Sequence, residues 1–182
     1  MHRLFIALRL TAELRGACLA AMDDGPPGWA WQDDDQLHVT LRYIGEVERP
    51  LAEDIAAALA SLSAPAVLVA LAGVGWFDQG VRGALFARVA PRGPLATLHA
   101  KLDRILIRVG LPPEGRAFLP HITLARRRPG AVDPAEWLER RAALASPPSS
   151  IDHITLFESE LGRAGPAYHA IARFPLDRPY PA

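Results

Sequence analysis

Residues 38–45 read HVTLRYIG, and the His-x-Thr-Leu core of that stretch returns as HITLARRR at 121–128 and as HITLFESE at 153–160. In extended backbone, successive side chains point to opposite faces. His38 and Thr40 therefore share one face while Val39 and Leu41 take the other, and His121 and Thr123 separate in the same way from Ile122 and Leu124. Such a strand anchors its aliphatic face in a core and leaves an imidazole beside a hydroxyl on the opposite face. The chain has six histidines and five threonines, and three of the threonines follow a histidine by two places. Random placement would rarely do that.

Outward from these motifs, periodicity predicts a strand over 3–8, a helix over 11–22, a strand over 37–45, a helix over 50–62 and a strand over 66–74. The second half repeats the order: a strand over 83–89, a helix over 93–110, a strand over 118–126, a helix over 133–144, then strands over 150–158 and 168–176. The register is consistent. His121 follows His38 by 83 residues, SPP at 146–148 follows SAP at 63–65 by the same 83, and Leu85-Phe86 follow Leu4-Phe5 by 81. The expectation is one two-lobed domain over 1–182 with an internal duplication, the repeats covering about 1–80 and 81–182. The counterpart of His153 is Ala70, inside an apolar strand, so the third motif is the odd copy. Its strand turns at ESELGRAGP into a hairpin instead of leading into a helix, and its histidine is read as structural.

The 182 residues suit one well-buried domain. Twenty basic residues balance twenty acidic ones, so no global field holds the chain on nucleic acid and any such contact should be local. Nineteen of the basic residues are arginine, with Lys101 the only lysine, which reads as genome composition more than as a binding surface. The single Cys18 excludes an intrachain disulfide and a multi-cysteine metal site. A reducing cytoplasm is the expected location. The longest apolar run, 66–77, is shorter than the ~18 residues that suggest a membrane span, and Arg9 and Glu13 interrupt what a signal peptide would need to keep apolar.

Imidazole titrates close to neutrality, so two of them can divide the roles of acid and base. In an in-line displacement at phosphorus the entering and leaving oxygens lie on opposite sides, and an acid and a base must flank the phosphorus. Twin strands supply that arrangement. The hydroxyls of Thr40 and Thr123 can donate to non-bridging oxygens where charge accumulates, and no metal or cofactor is required. Arg42 alternates onto the histidine face, a candidate phosphate contact. Arg126 alternates away from His121 and reaches the cleft only if its strand ends or twists. Of the other histidines, His2 is terminal, His99 borders the helical stripe Leu95, Leu98, Leu102 and Leu106, and His169 has no assigned role beside Tyr168, a possible cleft residue.

HVTLRYIGEV and FLPHITLARRR closely resemble the paired signatures of the two-histidine phosphoesterases and, within them, the RNA 2′,3′-cyclic phosphodiesterases also called 2′-5′ RNA ligases. RLFIAL, GVGWF and the closing LFESELGRAGPAYHAIARFPL are similar as well, while a histidine at 153 departs from that family's pattern. The resemblance implies an α+β fold of two pseudo-symmetric lobes, with antiparallel sheets lining a central cleft and helices packed outside. It implies hydrolysis of a 2′,3′-cyclic phosphate to a 2′-phosphomonoester, with His38 as proton donor, His121 as proton acceptor, and Thr40 and Thr123 holding the phosphate; Arg126, in the same HITLAR block, and Arg42 are the further candidate phosphate contacts. The expected partner is RNA with a cyclic end, tRNA fragments among the sources, acted on by a monomer with no membrane contact and with reversible 2′-5′ ligation as a further activity. The alternatives are the same pair acting on 2′-5′ oligonucleotides or small cyclic nucleotides, a non-catalytic RNA-end binder, and a zinc site formed by His38, His121 and His153.

Overall fold

The computed structural model describes residues 1–162 and 165–177. Its strands are β1 (His2–Arg9), β2 (Trp29–Trp31), β3 (His38–Val47), β4 (Val67–Phe77), β5 (Ala84–Ala90), β6 (His121–Arg127), β7 (Ser149–Ile151), β8 (His153–Gly162) and β9 (Gly165–Pro175). Its helices are α1 (Ala12–Met22), α2 (Arg49–Leu59), α3 (Arg92–Arg108) and α4 (Ala135–Arg141). Residues 163 and 164, inside the hairpin expected over 158–166, lie outside the described residues, as does the end of the expected domain, 178–182. Among the described residues no helix is long and apolar enough to cross a membrane.

Each helix has a local cause. Thr11 caps α1, its hydroxyl accepting from the Leu14 amide at 3.4 Å, and Leu14, Cys18 and Ala21 face inward. A proline in its first turn starts α2, which buries Ile55 and Leu59. The predicted stripe of α3, Leu95, Leu98, Leu102 and Leu106, is buried in full. In α4 the indole of Trp137 donates to the Ala21 carbonyl at 3.1 Å and ties α4 to the end of α1. These side chains join Leu4, Ile6 and Leu8 of β1 in one core. Phe5 and Ala7, the alternate residues of β1, form a separate small cluster with Phe157 on the opposite face.

The strands form one continuous sheet in the order β7-β4-β5-β6-β3-β1-β8-β9, with the short β2 also paired to β6. Two separate sheets were not needed. The expected strand over 150–158 is cut at Asp152, because Ser149–Ile151 pairs with β4 and His153 onward pairs with β1 and β9. Laid flat, β7 and β8 would be separated by about six strand spacings, roughly 29 Å. One residue connects them, so the sheet must curl into a half-barrel.

The strand order also redistributes the halves. Outward from the centre run β6, β5, β4 on one side and β3, β1, β8 on the other. The third strand following α2 thus joins the β5–β6 side, and the third strand following α4 joins the β1–β3 side. Lobes and sequence halves are not the same thing in this chain, and His153 lies on the His38 side of the sheet.

Candidate active site

The two central strands meet at the Val39–Ile122 pair. In antiparallel register this sets Thr40 beside His121 and Thr123 beside His38, a two-by-two array on one face, with cross-strand neighbours about 5 Å apart. The aliphatic residues between them, Val39, Leu41, Ile122 and Leu124, are buried on the other face. All four predicted side chains are brought together.

Backbone carbonyls hold both rings by the same nitrogen. His38 Nδ1 lies 2.7 Å from the Gln36 carbonyl and His121 Nδ1 lies 2.7 Å from the Leu119 carbonyl. A carbonyl only accepts, so each Nδ1 carries the proton and each neutral Nε2 offers a lone pair. At His38 that lone pair takes the Thr40 hydroxyl, 3.1 Å away. Aromatic rings pack behind each imidazole: Phe5 and Tyr168 at centroid distances of 5.0 and 5.3 Å from His38, and Phe77 and Phe86 at 5.0 and 5.4 Å from His121. Phe5 and Phe86 are the pair found 81 residues apart.

Burial is the main cause of depressed basicity in both rings. It pushes His38 down to about 4, with the charges of Arg126, His121 and Arg9 adding to it and the Gln36 carbonyl opposing it. Burial and then Arg126 hold His121 below its ordinary value, against the Leu119 carbonyl. Both rings are therefore neutral at pH 7 in the free protein.

The two arginines exchange places relative to expectation. In the β1–β3 ladder Ala7 pairs with Thr40 but Ile6 pairs with Arg42, so Leu41 is an extra, bulged residue. In the β5–β6 ladder Phe86 pairs with Thr123 but Leu85 pairs with Ala125, so Leu124 is bulged in the same way, again 83 residues later. A bulge inserts one residue and reverses the alternation beyond it. Arg42 is thereby turned off the histidine face and Arg126 onto it.

Arg42 is buried and spends its donors on protein: Asp103 at 3.0 Å, Glu114 at 3.1 Å, and the carbonyls of Tyr43 and Pro112 at 2.8 and 2.6 Å. It clamps β3 to α3 and to the segment leading into β6, its donors held by protein acceptors where phosphate binding was expected, although it also lines the cavity beside His121. His99 does more than border the helix. Its Nδ1 donates to the carbonyl of the bulged Leu41 at 2.7 Å, and its ring stacks on Phe118 at 4.3 Å. Arg126, in contrast, is exposed and has no carboxylate partner among the described residues. It lines a cavity of about 350 Å³ with Phe5, His38, Thr40, Tyr43 and Tyr168. A second cavity of about 290 Å³ adjoins His121, with Phe77, Phe118 and Leu119 in its wall. Thr40 and Tyr43 line both, so the cavities meet at the histidine pair.

Tyr43 was missed because the bulge that moves Arg42 away brings Tyr43 in, opposite Phe5. Arg9 was missed as well. It pairs with His38 across β1 and β3, which only the strand order reveals. The remaining histidines lie apart: His2 against Glu158 at 2.7 Å, His169 near Glu160 at 3.3 Å and His153 against Asp152 at 2.9 Å. Among the described residues no group of three His, Cys, Asp or Glu side chains is placed to hold a metal ion.

Residues 12–163 match the 2′-5′ RNA ligase superfamily. An RNA 2′,3′-cyclic phosphodiesterase of Thermus thermophilus is 34% identical, over 96% of this chain and 90% of its own. One from Geobacillus stearothermophilus is 32% identical over 94% of this chain, which spans 56% of that protein's length. The crystal structure of E. coli LigT in apo form superposes with a TM-score of 0.76 at 27% identity, covering 97% of this chain and 98% of that one.

Proposed function

The chain belongs to the 2′-5′ RNA ligase superfamily of two-histidine phosphoesterases, and on that premise we propose that it opens RNA ends carrying a 2′,3′-cyclic phosphate to a 2′-phosphomonoester, with neither metal nor cofactor. The observation that carries the reading is the pair of imidazoles on neighbouring strands, each anchored through Nδ1 so that Nε2 remains for chemistry.

His121 Nε2 takes a proton from the attacking water, and His38 Nε2 gives one to the departing 3′ oxygen. His38 is neutral in the free protein, so it takes up its proton from solvent as substrate binds. Burial is the main cause of its low basicity, and a phosphodiester monoanion placed beside the ring favours the imidazolium and raises that basicity. Thr40, Thr123 and Arg126 face the non-bridging oxygens, where charge grows in the transition state. With a 5′-hydroxyl in place of the attacking water, the same two roles join a 2′-5′ end, and exchanging them reverses that joining.

A duplicated half-domain accounts for the equivalent motifs. What supports it is the strand order mirrored about β3 and β6 and the bulges at Leu41 and Leu124.

The test is conversion of a cyclic RNA end to one bearing a 2′-phosphomonoester, in the presence of a chelator. His38→Ala and His121→Ala should each lower turnover by about 10² to 10⁴ while the folded state survives. Wild-type turnover in either variant sinks the assignment. Cleavage of a 2′-5′ oligonucleotide or a small cyclic nucleotide, with the RNA end left intact, would move the chemistry to another substrate, and loss of activity in chelator would require a metal.

A further inference from the structure

The third His-x-Thr copy does not reach the reacting pair, yet it belongs to the same surface. Arg9 pairs with His38, Ala7 with Thr40, and Ala7 also with Thr155. Across β3, β1 and β8 one face therefore carries His38 and Thr40, then Arg9 and Ala7, then His153 and Thr155. Arg173 follows on β9, paired with Thr155. Two strand spacings, about 10 Å, separate the His38 strand from the His153 strand.

A cavity of about 280 Å³ opens here, its wall including Arg9, Thr11, Arg15, Asp34, His153 and Arg173. Its charges are unevenly satisfied. Arg15 pairs with Asp34 at 3.1 Å and His153 with Asp152 at 2.9 Å, and Asp35 is also in the wall. Arg9 and Arg173 have no carboxylate partner among the described residues; the guanidinium of Arg9 lies over the Phe157 ring at 5.5 Å. Thr11, also in the wall, caps the N-terminus of α1, where unpaired amides favour an anion.

A second observation points the same way. Five buried side-chain polar atoms among the described residues lack a hydrogen-bond partner, and three of them, His153 Nε2, Arg15 Nε and Thr155 Oγ1, belong to this cavity or to the strand beside it. Thr155 is completely buried. Orphaned polar groups are costly, and Arg15 and His153, both in the cavity wall, can be satisfied by a polar group bound there.

We infer that this cavity is a second anion subsite, which takes the 5′-phosphodiester of the terminal nucleotide while that nucleotide's cyclic phosphate lies between His38 and His121. The inference rests on the proposed RNA-end chemistry. Arg9, on the strand between the two places, borders both. A free nucleoside 2′,3′-cyclic phosphate would leave the subsite empty, whereas a chain end would fill it, so the subsite selects RNA ends over cyclic mononucleotides.

The experiment compares a nucleoside 2′,3′-cyclic phosphate with a dinucleotide bearing the same cyclic end, using wild type, Arg173→Ala and His153→Ala. The preference for the dinucleotide, as a ratio of kcat/KM values, should fall about tenfold in Arg173→Ala, and less in His153→Ala, through KM with little change in kcat. The slope of log affinity against log salt for the dinucleotide should drop by about 0.7, the value for one lost single-strand phosphate contact. Equal effects on both substrates, or none on either, overturn the subsite. A fluorescent dinucleotide with an intact phosphodiester, titrated against wild type and Arg173→Ala, reads the subsite without turnover. If neither cyclic substrate is opened but that probe still binds tenfold more weakly to Arg173→Ala, the proposed reaction fails and the subsite stands; equal binding overturns the subsite.

Discussion

HVTLRYIG and HITLARRR agree through the leucine and then diverge, Arg-Tyr in one and Ala-Arg in the other. Both strands bulge at that leucine. In each, the next residue falls on the core side and the one after it faces the histidines. One motif therefore sends its arginine inward as Arg42 and presents Tyr43, and the other sends in Ala125 and presents Arg126. A shift of one place decides whether a guanidinium holds the scaffold together or meets an anion. Both strands present a histidine and a threonine, and each histidine has an arginine opposite it on the neighbouring strand, Arg9 beside His38 and Arg88 beside His121, but only β6 adds an arginine of its own, Arg126, on that face.

The sharpest way to break that comparison is to remove each arginine and measure stability and activity separately. Arg126→Ala should lower kcat/KM by about 10- to 100-fold, as expected when a charged donor to phosphate is lost, with the denaturation midpoint unchanged. Arg42→Ala should cost about 2–3 kcal/mol of folding stability, because Asp103 and Glu114 are left without the cation between them. Denaturant unfolding measures it. The reversed pattern would mean that the bulges do not set the faces.

Acid sharpens the comparison of the two rings. His38 titrates at about 4 in the fold against an ordinary 6.5. Between those values the unfolded chain holds a proton that the folded chain refuses, so stability is complete above 6.5 and declines as pH falls towards 4. His121, also held below its ordinary value, adds to the same decline. His38→Gln should flatten the unfolding free energy across that window, and a profile as steep as wild type would show that the ring is not buried as described.

The smallest expected effect is at the hydroxyls. Thr40→Val keeps the β-branched shape of the strand and deletes the donor to His38 Nε2, and it should reduce kcat about tenfold with stability almost unchanged. Its lobe equivalent, Thr123→Val, should behave alike if the two sides share the phosphate, and a much larger loss in one would show an unequal division.

The paired His-x-Thr motifs, the helical stripe of α3 and the α+β class were legible because alternation and 3.6-residue spacing are local properties, set by which side of a strand or helix a residue occupies. His38, Thr40, His121 and Thr123 came from that level alone. Where one extra residue resets the alternation, local reading failed: it placed Arg42 in the site, left Arg126 doubtful and overlooked Tyr43. The three-residue strand β2, and the break at Asp152 that divides an apparently continuous strand between two partners, depend on distant pairing and carry no periodic signal of their own.

The chain's own order of residues thus determined which side chains are candidates for the chemistry and that they come in equivalent pairs. Tertiary structure alone decided which faces they share, because hydrogen-bond register across β1–β3 and β5–β6 creates the bulges. It also decided that β8 crosses to the His38 side and sets His153 and Arg173 in line with Arg9, since strand order is settled by packing between segments far apart in sequence.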